Sequence, residues 1–411
     1  MDQLAAEIKA RAEGIANRLI AWRRQIHQQP ELSFQEINTA QFVVDELNAL
    51  PYVEVRQRMG YKTAVVGSIT TGNGPSIAIR ADMDALPIHE TNTASYSSEK
   101  KGVMHACGHD AHTAIGLGCA TVMAELFQQG DIQGTVNFVF QPAEERADES
   151  GLTGAQYMIQ GGVLDGIDAA IALHMNPEKP LGEVHIHDGY SMGNVDVFTA
   201  TIKGSGGHGA YPHLGTDPIW MLQHVLSGIY SISGRLVSPL DSAVISVGSI
   251  HTGSQNNVIP SEVMISGTIR TYKPDVQKKV HGALDDIFSI VRRLGGTYQM
   301  NIRKEDPALK NNAYINTFIR NAFDSMYPDY LQHAIPFGLG GEDFANVAEV
   351  VPSAMFFLGS NTDDMRHGML HTADFDIDEG VLPIGVSILS LAAVNYLRAN
   401  SEVDRNETDT R

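Results

Sequence analysis

The stretch from Met104 to Thr113, MHACGHDAHT, concentrates residue types that could bind a metal ion or attack a substrate. It contains three histidines and one aspartate, and a single glycine separates Cys107 from His109. A thiolate and an imidazole this close together can both reach one cation. Cys107 could instead be a nucleophile that a histidine activates. A lone Cys or His is more often structural, so the choice depends on whether further ligands lie elsewhere in the chain.

Further candidate ligands follow segments that read as strands. These acidic and imidazole side chains are Asp82, Asp84, Glu144, Glu145, His174 and His371. In open α/β sheets, ligand sites form beyond the carboxyl ends of the strands. Taken singly, Glu144 and Glu145 could be a solvated charge pair, and His174 could be a hydrogen-bonded core histidine. Taken together with the turn that carries Cys107, they favour one converging site.

The elements that would position these residues alternate between helices and strands. Apolar residues at helical spacing predict helices over 3–26, with Asp2 as the N-cap, and over 37–47. A third helix follows MHACGHDAHT. The apolar runs YKTAVVGSI, SIAIRADM, GTVNFVFQP and GIDAAIALHM have the β-branched content and turn boundaries of strands. This alternation predicts an α/β fold, with a mostly parallel sheet and helices on both faces.

The region 193–305 has a different order of elements. Its apolar patterns predict strand, helix (218–233), strand, strand, helix (276–294) and strand, which is the ferredoxin-like α+β unit. A further strand and helix, and His371, come afterwards, so we interpret this region as a domain inserted into a metal-binding catalytic domain of residues 1–192 and 306–400. The polar segment 401–411 is predicted to be a disordered tail.

Composition limits the possible partners and compartments. The chain has 411 residues and a formal net charge of −19, which argues against nucleic acid and anionic membranes as partners. Its two cysteines cannot form a disulfide framework, which favours a reducing cytoplasm. The N-terminus has no signal-peptide pattern, and we expect no apolar run long enough to span a bilayer.

Ten motifs in the same order resemble the amidohydrolases that cleave N-acyl amino acids. That family includes hippurate hydrolases, bacterial aminoacylases and plant auxin-conjugate hydrolases, and belongs to the two-metal carboxypeptidase group. The motifs span nearly the whole chain: IHQQPELSFQE (26–36), RADMDALP (80–87), MHACGHDAHT (104–113), FQPAEE (140–145), LHMNP (173–177), GGHGAYPH (206–213), NNVIPSE (256–262), GTIRTY (267–272), GGEDFA (340–345) and LHTADFDID (370–378).

The resemblance implies a zinc-exopeptidase-like catalytic domain with two divalent ions, which could be zinc, manganese, cobalt or nickel. Cys107 would bridge the ions, Glu145 and His371 would complete one, and His109 and His174 the other. Glu144 would be the general base. By the same resemblance, Asp84 would orient a ligand from the second shell. The remaining histidines of the motif, His105 and His112, are interpreted as structural.

The resemblance also implies that the inserted domain recognises the substrate. His208 would hydrogen-bond the developing oxyanion, and Asn257 and Arg270 would hold the substrate. The glycines of GLGGEDF, including Gly341, suggest a loop whose backbone amides approach the substrate carboxylate. In related carboxypeptidases the inserted domain forms a dimer, so a homodimer or a dimer of dimers is expected here.

These observations predict metal-dependent hydrolysis of the amide bond of an N-acyl amino acid. A dipeptidase or carboxypeptidase with the same site, a metal-containing binding protein without turnover, and a thiol hydrolase using Cys107 are the alternatives. The chain departs from its relatives at 146–150, where RADES replaces the usual glycines. We expect that segment to border the substrate pocket, so it bears on the acyl group and not on the metal chemistry.

Overall fold

The computed structural model describes residues 3–128, 132–362 and 364–408 of the chain. Contacts within the chain separate two compact units. The first unit contains the chain up to Gly189, Lys310–Phe337 and the chain from Asp343 onward, and the second contains Tyr190–Leu309 and Gly338–Glu342. The second unit therefore includes a glycine-rich segment that follows the predicted insertion. A backbone hydrogen bond of 3.0 Å from Gly193 N to Gly340 O attaches that segment.

The helices and strands have the following bounds. The helices are α1 (Gln3–Gly14), α2 (Ala16–Gln28), α3 (Ile37–Asn48), α4 (His109–Phe127), α5 (Gly154–Gln160), α6 (Pro218–Arg235), α7 (Pro274–Phe288), α8 (Ile290–Arg293), α9 (Ala313–Met326), α10 (Phe344–Val350) and α11 (Val381–Thr408). The strands are β1 (Glu54–Gln57), β2 (Val65–Thr71), β3 (Ser76–Asp82), β4 (Gly134–Gln141), β5 (Ala169–Pro180), β6 (Glu183–His185), β7 (Gly189–Tyr190), β8 (Asp196–Lys203), β9 (Gly207–His208), β10 (Ala243–His251), β11 (Val258–Ile259), β12 (Glu262–Thr271), β13 (Thr297–Lys304), β14 (Lys310–Asn311), β15 (Leu331–His333) and β16 (Ser353–Asn361).

The first unit is built on an eight-stranded sheet in the order β1-β2-β4-β3-β5-β16-β6-β15. The central strands β4, β3, β5 and β16 run parallel to one another. Antiparallel pairs occur toward the edges, where β1 pairs with β2, β2 with β4, and β16 with β6. The predicted mostly parallel α/β sheet is confirmed, with antiparallel additions at both sides of the parallel centre.

Helices cover both faces of this sheet, and the side chains of β3 alternate between the two faces. Ile77, Ile79 and Ala81 belong to the main apolar core, which includes much of α4 and α11. Ala78 and Arg80 face the opposite side, where residues of α5 and α10 surround them. Strands buried on both faces are typical of parallel sheets. The carboxyl ends of these strands remain the edge at which polar side chains can gather.

The second unit has the predicted ferredoxin-like order, β8-α6-β10-β12-α7-β13. Its sheet has the order β10-β12-β8-β13, and every adjacent pair is antiparallel. Alternation along β8 buries Phe198, Ala200 and Ile202 in a separate apolar core with α6 and α7, while Thr199 is exposed. Asp217 begins α6 by accepting the N–H groups of two residues in its first turn.

Two helix predictions were wrong in detail. The predicted helix 3–26 is interrupted at Ile15, immediately after Gly14, a residue type that weakens helical backbone. The predicted helix 276–294 begins earlier, because Pro274 suits the first helical position, and Ser289 separates α7 from α8. The predicted N-cap Asp2 lies outside the described residues.

The C-terminal helix also differs from the expectation. α11 continues through Thr408, so much of the predicted tail 401–411 is helical, and 409–411 lie outside the described residues. Its stretch Val381–Ser401 is long and apolar enough to cross a membrane by length and composition, contrary to the sequence prediction. However, 78% of the most apolar window is buried inside the fold, as in the core helix of a soluble protein.

Candidate metal centre

The five predicted metal ligands all lie in the first unit, at one edge of its sheet. His174 lies on β5, Glu145 follows β4, and His371 lies in the loop between β16 and α11. Cys107 and His109 lie at the start of α4, where Gly108 has a φ of 93° that favours glycine. The parallel strands bring their carboxyl ends together at this edge, which explains how residues so distant in sequence converge.

The distances join these side chains into two overlapping groups. Cys107 Sγ lies 3.5 Å from His174 Nε2 and 3.3 Å from His371 Nε2. Glu145 Oε1 lies 3.3 Å from His371 Nε2 and 3.9 Å from His109 Nε2. Ligand atoms lie within 4.8 Å of one another in two sets: Cys107 with His109 and His174, and Cys107 with Glu145 and His371. Cys107 belongs to both sets, as expected of a ligand shared by two ions.

Two buried atoms at this site have unused coordination capacity. Within the described part of the chain, neither His109 Nε2 nor Glu145 Oε1 has a hydrogen-bond partner of ordinary geometry, although His371 Nε2 lies 3.3 Å from Glu145 Oε1. A buried polar atom without a partner costs about 1–3 kcal/mol. Thiolate, imidazole and carboxylate are ligands that suit zinc and neighbouring divalent metals. The residues therefore fit two divalent ions.

Hydrogen bonds to the far ring nitrogens fix which nitrogen each histidine can offer. His109 Nδ1 lies 2.9 Å from the Asp84 carbonyl oxygen, and His174 Nδ1 lies 2.8 Å from the Met175 carbonyl oxygen. A carbonyl oxygen can only accept, so both Nδ1 atoms must carry the proton. The Nε2 atoms are therefore unprotonated in the neutral rings and available to a metal.

Asp84 connects the two halves of the site. Its side chain is buried, and its two oxygens accept the backbone N–H groups of Glu144 and Glu145 at 3.1 and 3.0 Å. Asp84 Oδ1 also lies 3.3 Å from His109 Nδ1. Glu144 contributes a carboxylate oxygen within 4.8 Å of the ligand atoms of His109 and Glu145. The geometry suits Asp84 as an orienting group and places Glu144 beside two of the predicted metal ligands.

The surroundings of Cys107 disfavour its use as a nucleophile. Burial, and then the negative charges of Glu145 and Glu144, raise the pKa of the Cys107 thiol well above its usual value. Catalytic cysteines need the opposite, an electropositive setting that lowers the thiol pKa. A cation held by the neighbouring ligands would supply that positive charge. The site therefore favours Cys107 as a ligand over the thiol-hydrolase alternative.

His112 has a more specific role than the packing expected from the sequence. Its Nε2 accepts the Met175 N–H at 2.9 Å, next to the ligand His174, and its Nδ1 lies 2.6 Å from Asp82 Oδ1. Arg80 in turn binds the other oxygen of Asp82. His112 thus holds the backbone of β5 at Met175, and its purely structural role stays a prediction. The only sequence signal for this pairing is that Asp82, in RADMDALP, ends a predicted strand at the edge where the other polar residues gather.

Comparison with known proteins identifies the family. Residues 78–395 match the peptidase family M20/M25/M40. The chain belongs to this family. An N-acetyl-L-cysteine deacetylase of Bacillus subtilis is 37% identical over 393 residues, covering 94% of this chain and 90% of the relative. Thermostable carboxypeptidase 2 of Saccharolobus solfataricus is 35% identical over 400 residues, covering 96% of this chain and 99% of the relative.

A solved member of the M20 family has the same architecture. The YXEP protein of Bacillus subtilis, described as a dinuclear metal binding peptidase, is 31% identical with a TM-score of 0.81. The similarity covers 94% of this chain and 99% of that protein. The resemblance inferred from the motifs is confirmed, and the chain is a metal-dependent hydrolase of the amidohydrolase and peptidase type.

The four predicted recognition residues of this M20 member lie in its second unit. His208 is exposed on β9, which pairs with β11, and Gly209 N donates to Asn257 O at 2.8 Å. His208 and Asn257 are thus brought side by side. Arg270 is half-buried on β12, and burial lowers its pKa. A Cβ atom on Gly341 would lie 2.3 Å from a methyl group of Val195, so only glycine fits there.

Two non-glycine residues near the metal ligands have left-handed backbone. His371 has a φ of 62° and Ala143, which precedes the Glu144-Glu145 pair, has a φ of 49°. Such conformations cost of order 1–3 kcal/mol and persist where surrounding contacts fix them. His371 N donates to Ala106 O at 2.7 Å, which ties the His371 loop to the Cys107 loop. No sequence signal marks these two positions.

Proposed function

We propose that this protein hydrolyses the amide bond of N-acyl amino acids, releasing a carboxylic acid and a free amino acid. The observation that carries the proposal is the thiolate-centred pair of ligand sets with Glu144 beside it. The deacetylase relative supports an acyl group on the amino acid, and the carboxypeptidase relative keeps peptides with a free carboxylate as the second candidate.

In this proposal Cys107, Glu145 and His371 would hold one divalent ion, and Cys107, His109 and His174 would hold the other. Zinc, manganese, cobalt and nickel are the candidate metals. When bound, such ions polarise the substrate carbonyl and lower the pKa of a bound water molecule to about 7. The protein's own contribution is to hold the ligands in place.

Glu144 is proposed as the general base and acid. It would accept a proton from the attacking water and later deliver that proton to the nitrogen of the leaving amino acid. Asp84 would position it, because the Asp84 side chain accepts the Glu144 N–H. Adjacent residues would thus divide the work, with Glu144 transferring protons and Glu145 binding metal.

The second unit is proposed to recognise the substrate. His208 would donate a hydrogen bond to the oxyanion that develops in the transition state. Asn257 and Arg270 would hold the amino-acid part, the latter through its planar guanidinium, and the loop with Gly341 would approach the carboxylate. The short segment 146–150 would border the acyl group.

We further propose that the active form is a homodimer, or a dimer of dimers, located in the cytoplasm. One edge of the second unit's sheet is β10, and the neighbouring helix α6 exposes Ile219, Trp220 and Tyr230. An edge strand beside exposed apolar side chains is a surface suited to pairing with a second copy. In such a dimer, His208 of one chain would complete the metal site of the other.

The deciding experiment combines metal analysis with a substrate screen. Apo-protein would be reconstituted separately with each of the four metals and assayed on acetyl-, benzoyl- and longer-acyl amino acids and on dipeptides. The proposal expects about two ions per chain and turnover of N-acyl amino acids in preference to dipeptides. Preference for dipeptides would favour the second candidate.

The remaining alternatives give different results in the same experiment. Full activity after chelation of all metal would favour the thiol mechanism at Cys107. Two bound ions without turnover of any acylated amino acid or peptide would indicate a metal-containing binding protein. A stoichiometry that stays at zero after metal is supplied would contradict the proposal altogether.

A further inference from the structure

The motif IHQQPELSFQE has no part in the chemistry described so far. Its last residue, Glu36, contacts the backbone segment that leads into Glu144 and Glu145. The Glu36 side chain is fully buried. Glu36 Oε1 accepts the N–H groups of Phe34 and Ala143, each at 2.8 Å, and Glu36 Oε2 accepts the Thr63 hydroxyl at 3.0 Å. One carboxyl group therefore joins its own loop to the segment that precedes Glu144.

Three consecutive backbone N–H groups donate hydrogen bonds to buried acidic side chains. Ala143 N donates to Glu36, and the next two amides, Glu144 N and Glu145 N, donate to Asp84. The turn that carries the proposed base and a metal ligand is therefore held by its backbone, and Glu36 holds its first residue.

The two residues that share Glu36 Oε1 both have unfavourable backbone conformations. Phe34 has a φ of 68° and Ala143 a φ of 49°, a region that L-residues rarely adopt. Each needs a contact that stabilises it. Because a single oxygen atom accepts from both, moving that oxygen would release both residues.

The same loop also holds the second acidic group. Ser33, next to Phe34, donates its hydroxyl to Asp84 Oδ2 at 2.6 Å. Segment 33–36 therefore supports the turn through Glu36 directly and through Asp84 indirectly. Within the described residues, the Glu36 oxygens accept from two backbone N–H groups and one hydroxyl and from no predicted metal ligand side chain, so any effect of Glu36 on the ligands passes through the backbone.

We propose that Glu36 is a positioning residue that fixes the backbone at Ala143 and so aims Glu144 and Glu145 together at the metal centre. The part concerning Glu144 rests on the proposed function, whereas the part concerning Glu145 concerns metal affinity alone. Glu36 touches neither substrate nor metal in this proposal.

Two conservative substitutions separate the position of the acceptor from its charge. Glu36→Gln keeps an oxygen at the Oε1 position, and its amide N–H₂ can donate to the Thr63 hydroxyl, which can also accept. Glu36→Asp keeps the charge but withdraws the oxygen by one carbon–carbon bond. Burial, and then the charge of Asp84, raise the pKa of Glu36 to about 7, and Oε1 can accept in either protonation state. Position should therefore matter more than charge.

The experiment measures metal affinity by chelator competition, and kcat and KM on the best substrate of the screen. We expect Glu36→Asp to lose about 10- to 100-fold in metal affinity and in kcat, with KM little changed, as for other residues that orient ligands. Glu36→Gln should stay within about threefold of the wild type on both measures. Glu31, a buried carboxylate of the same motif that accepts Thr39 N at 3.0 Å, provides the control pair Glu31→Asp and Glu31→Gln, which should leave metal affinity unchanged.

A second substitution tests whether the Ala143 backbone is the link. Glycine adopts positive φ readily, so adding Ala143→Gly to Glu36→Asp should recover part of the lost metal affinity. Equal affinity in Glu36→Asp and the wild type would overturn the proposal, as would a Gln variant no better than the Asp variant. If no substrate is turned over by any protein, the metal measurements still decide about Glu36, and only the proposed function fails.

Discussion

At the scale of single residues, Glu144 and Glu145 differ in what their carboxylates can reach. Glu145 Oε1 lies 3.3 Å from His371 Nε2 and belongs to a ligand set with Cys107, whereas Glu144 belongs to no described set that contains Cys107. We expect Glu144→Gln to keep both metal ions and to lower kcat by about 10² to 10⁴, the usual contribution of general acid–base catalysis. Glu145→Gln should instead lower metal occupancy, because a neutral amide is a poorer ligand than a carboxylate.

The two variants form a matched pair, since they make the same chemical change at adjacent positions. Metal content by elemental analysis and kcat at saturating metal would be measured for both. Wild-type turnover by Glu144→Gln would assign proton transfer to another group. Loss of metal from Glu144→Gln, with Glu145→Gln intact, would reverse the two proposed roles.

Single residues also show what the sequence could and could not reveal. Cys107 and His109 stand out because few other roles explain a thiol and an imidazole at that spacing. The importance of Glu36 and His112 could not be read from spacing, because each acts through a backbone N–H group brought near only by folding. A buried side chain that orients a ligand resembles any other polar residue until its partner is known.

At the scale of elements, a buried ion cluster joins α2 to the start of α4. Arg23, fully buried on α2, lies 3.0 Å from Asp110, the residue after the proposed ligand His109. Burial opposes ionisation of Asp110, but the charge of Arg23 and the hydrogen bond and charge of His27 together outweigh burial and lower the Asp110 pKa. His27 Nδ1 lies 2.8 Å from the same carboxylate, and His27 Nε2 lies 3.2 Å from Glu90.

This cluster predicts a pH-dependent stability. Burial would lower the pKa of His27, but hydrogen bonds to Asp110 and Glu90 outweigh it and raise the pKa from 6.5 to about 9. Because the folded state holds the proton more tightly, the stabilisation is complete below about pH 6.5 and is lost as pH rises toward about 9. We expect His27→Gln to be less stable than the wild type by up to about 3 kcal/mol at pH 6, with the difference shrinking by pH 9.

Urea unfolding of the metal-free proteins at several pH values would measure this difference. His89→Gln, at an exposed histidine near Glu90, is the control and should leave the pH dependence unchanged. A stability difference between wild type and His27→Gln that grows with rising pH would contradict the assignment of a stabilised imidazolium.

The contact between α4 and α11 gives a second prediction about elements. A Cβ atom on Gly118 of α4 would lie 2.5 Å from a methyl group of Val386 and 2.7 Å from one of Leu19. We expect Gly118→Ala to destabilise by about 1–3 kcal/mol, because overpacking outweighs the better helix propensity of alanine. On α7, Gly282 is exposed with open space around it, so Gly282→Ala should stabilise by about 0.5–1 kcal/mol.

Thermal and denaturant unfolding of both variants would test the opposite signs. A neutral Gly118→Ala would show that the close approach of α4 and α11 has been overestimated, and destabilisation by Gly282→Ala would show that the space around Gly282 is not open. The pair is informative because both substitutions replace a helical glycine with alanine, and only the surroundings of the added methyl group differ.

Elements were predicted well where composition and position agree. The strands that end in Asp82 and Gln141 have β-branched or aromatic runs followed by polar residues, so both the strand and the site at its end could be expected. The break at Ile15 and the separation of α7 from α8 were missed because apolar spacing continues across both, although Gly14 weakens the helical backbone before Ile15. The antiparallel edge pairs also depend on non-local contacts that period and propensity do not encode.

At the scale of the whole molecule, the question is whether two copies of the chain associate, so that His208 of one copy acts in the active site of the other. The second unit has an uncovered edge at β10 and exposes apolar residues on α6, while its His208 is exposed in a glycine-rich turn. The net charge of −19 gives no attraction between copies, so association would depend on apolar and backbone contacts. A homodimer formed through this unit is consistent with these features.

The proposed dimer predicts complementation between two inactive proteins. Glu144→Ala and His208→Ala should each be nearly inactive, one lacking the base and the other the oxyanion donor. After dissociation and random reassociation, half of the dimers would be mixed, and one of the two sites in each mixed dimer would combine intact Glu144 with the partner chain's intact His208. Activity should therefore recover to about a quarter of the wild type. If mixed dimers form, as shown by differently tagged chains, and activity stays at the single-variant level, His208 acts within its own chain or has no catalytic part.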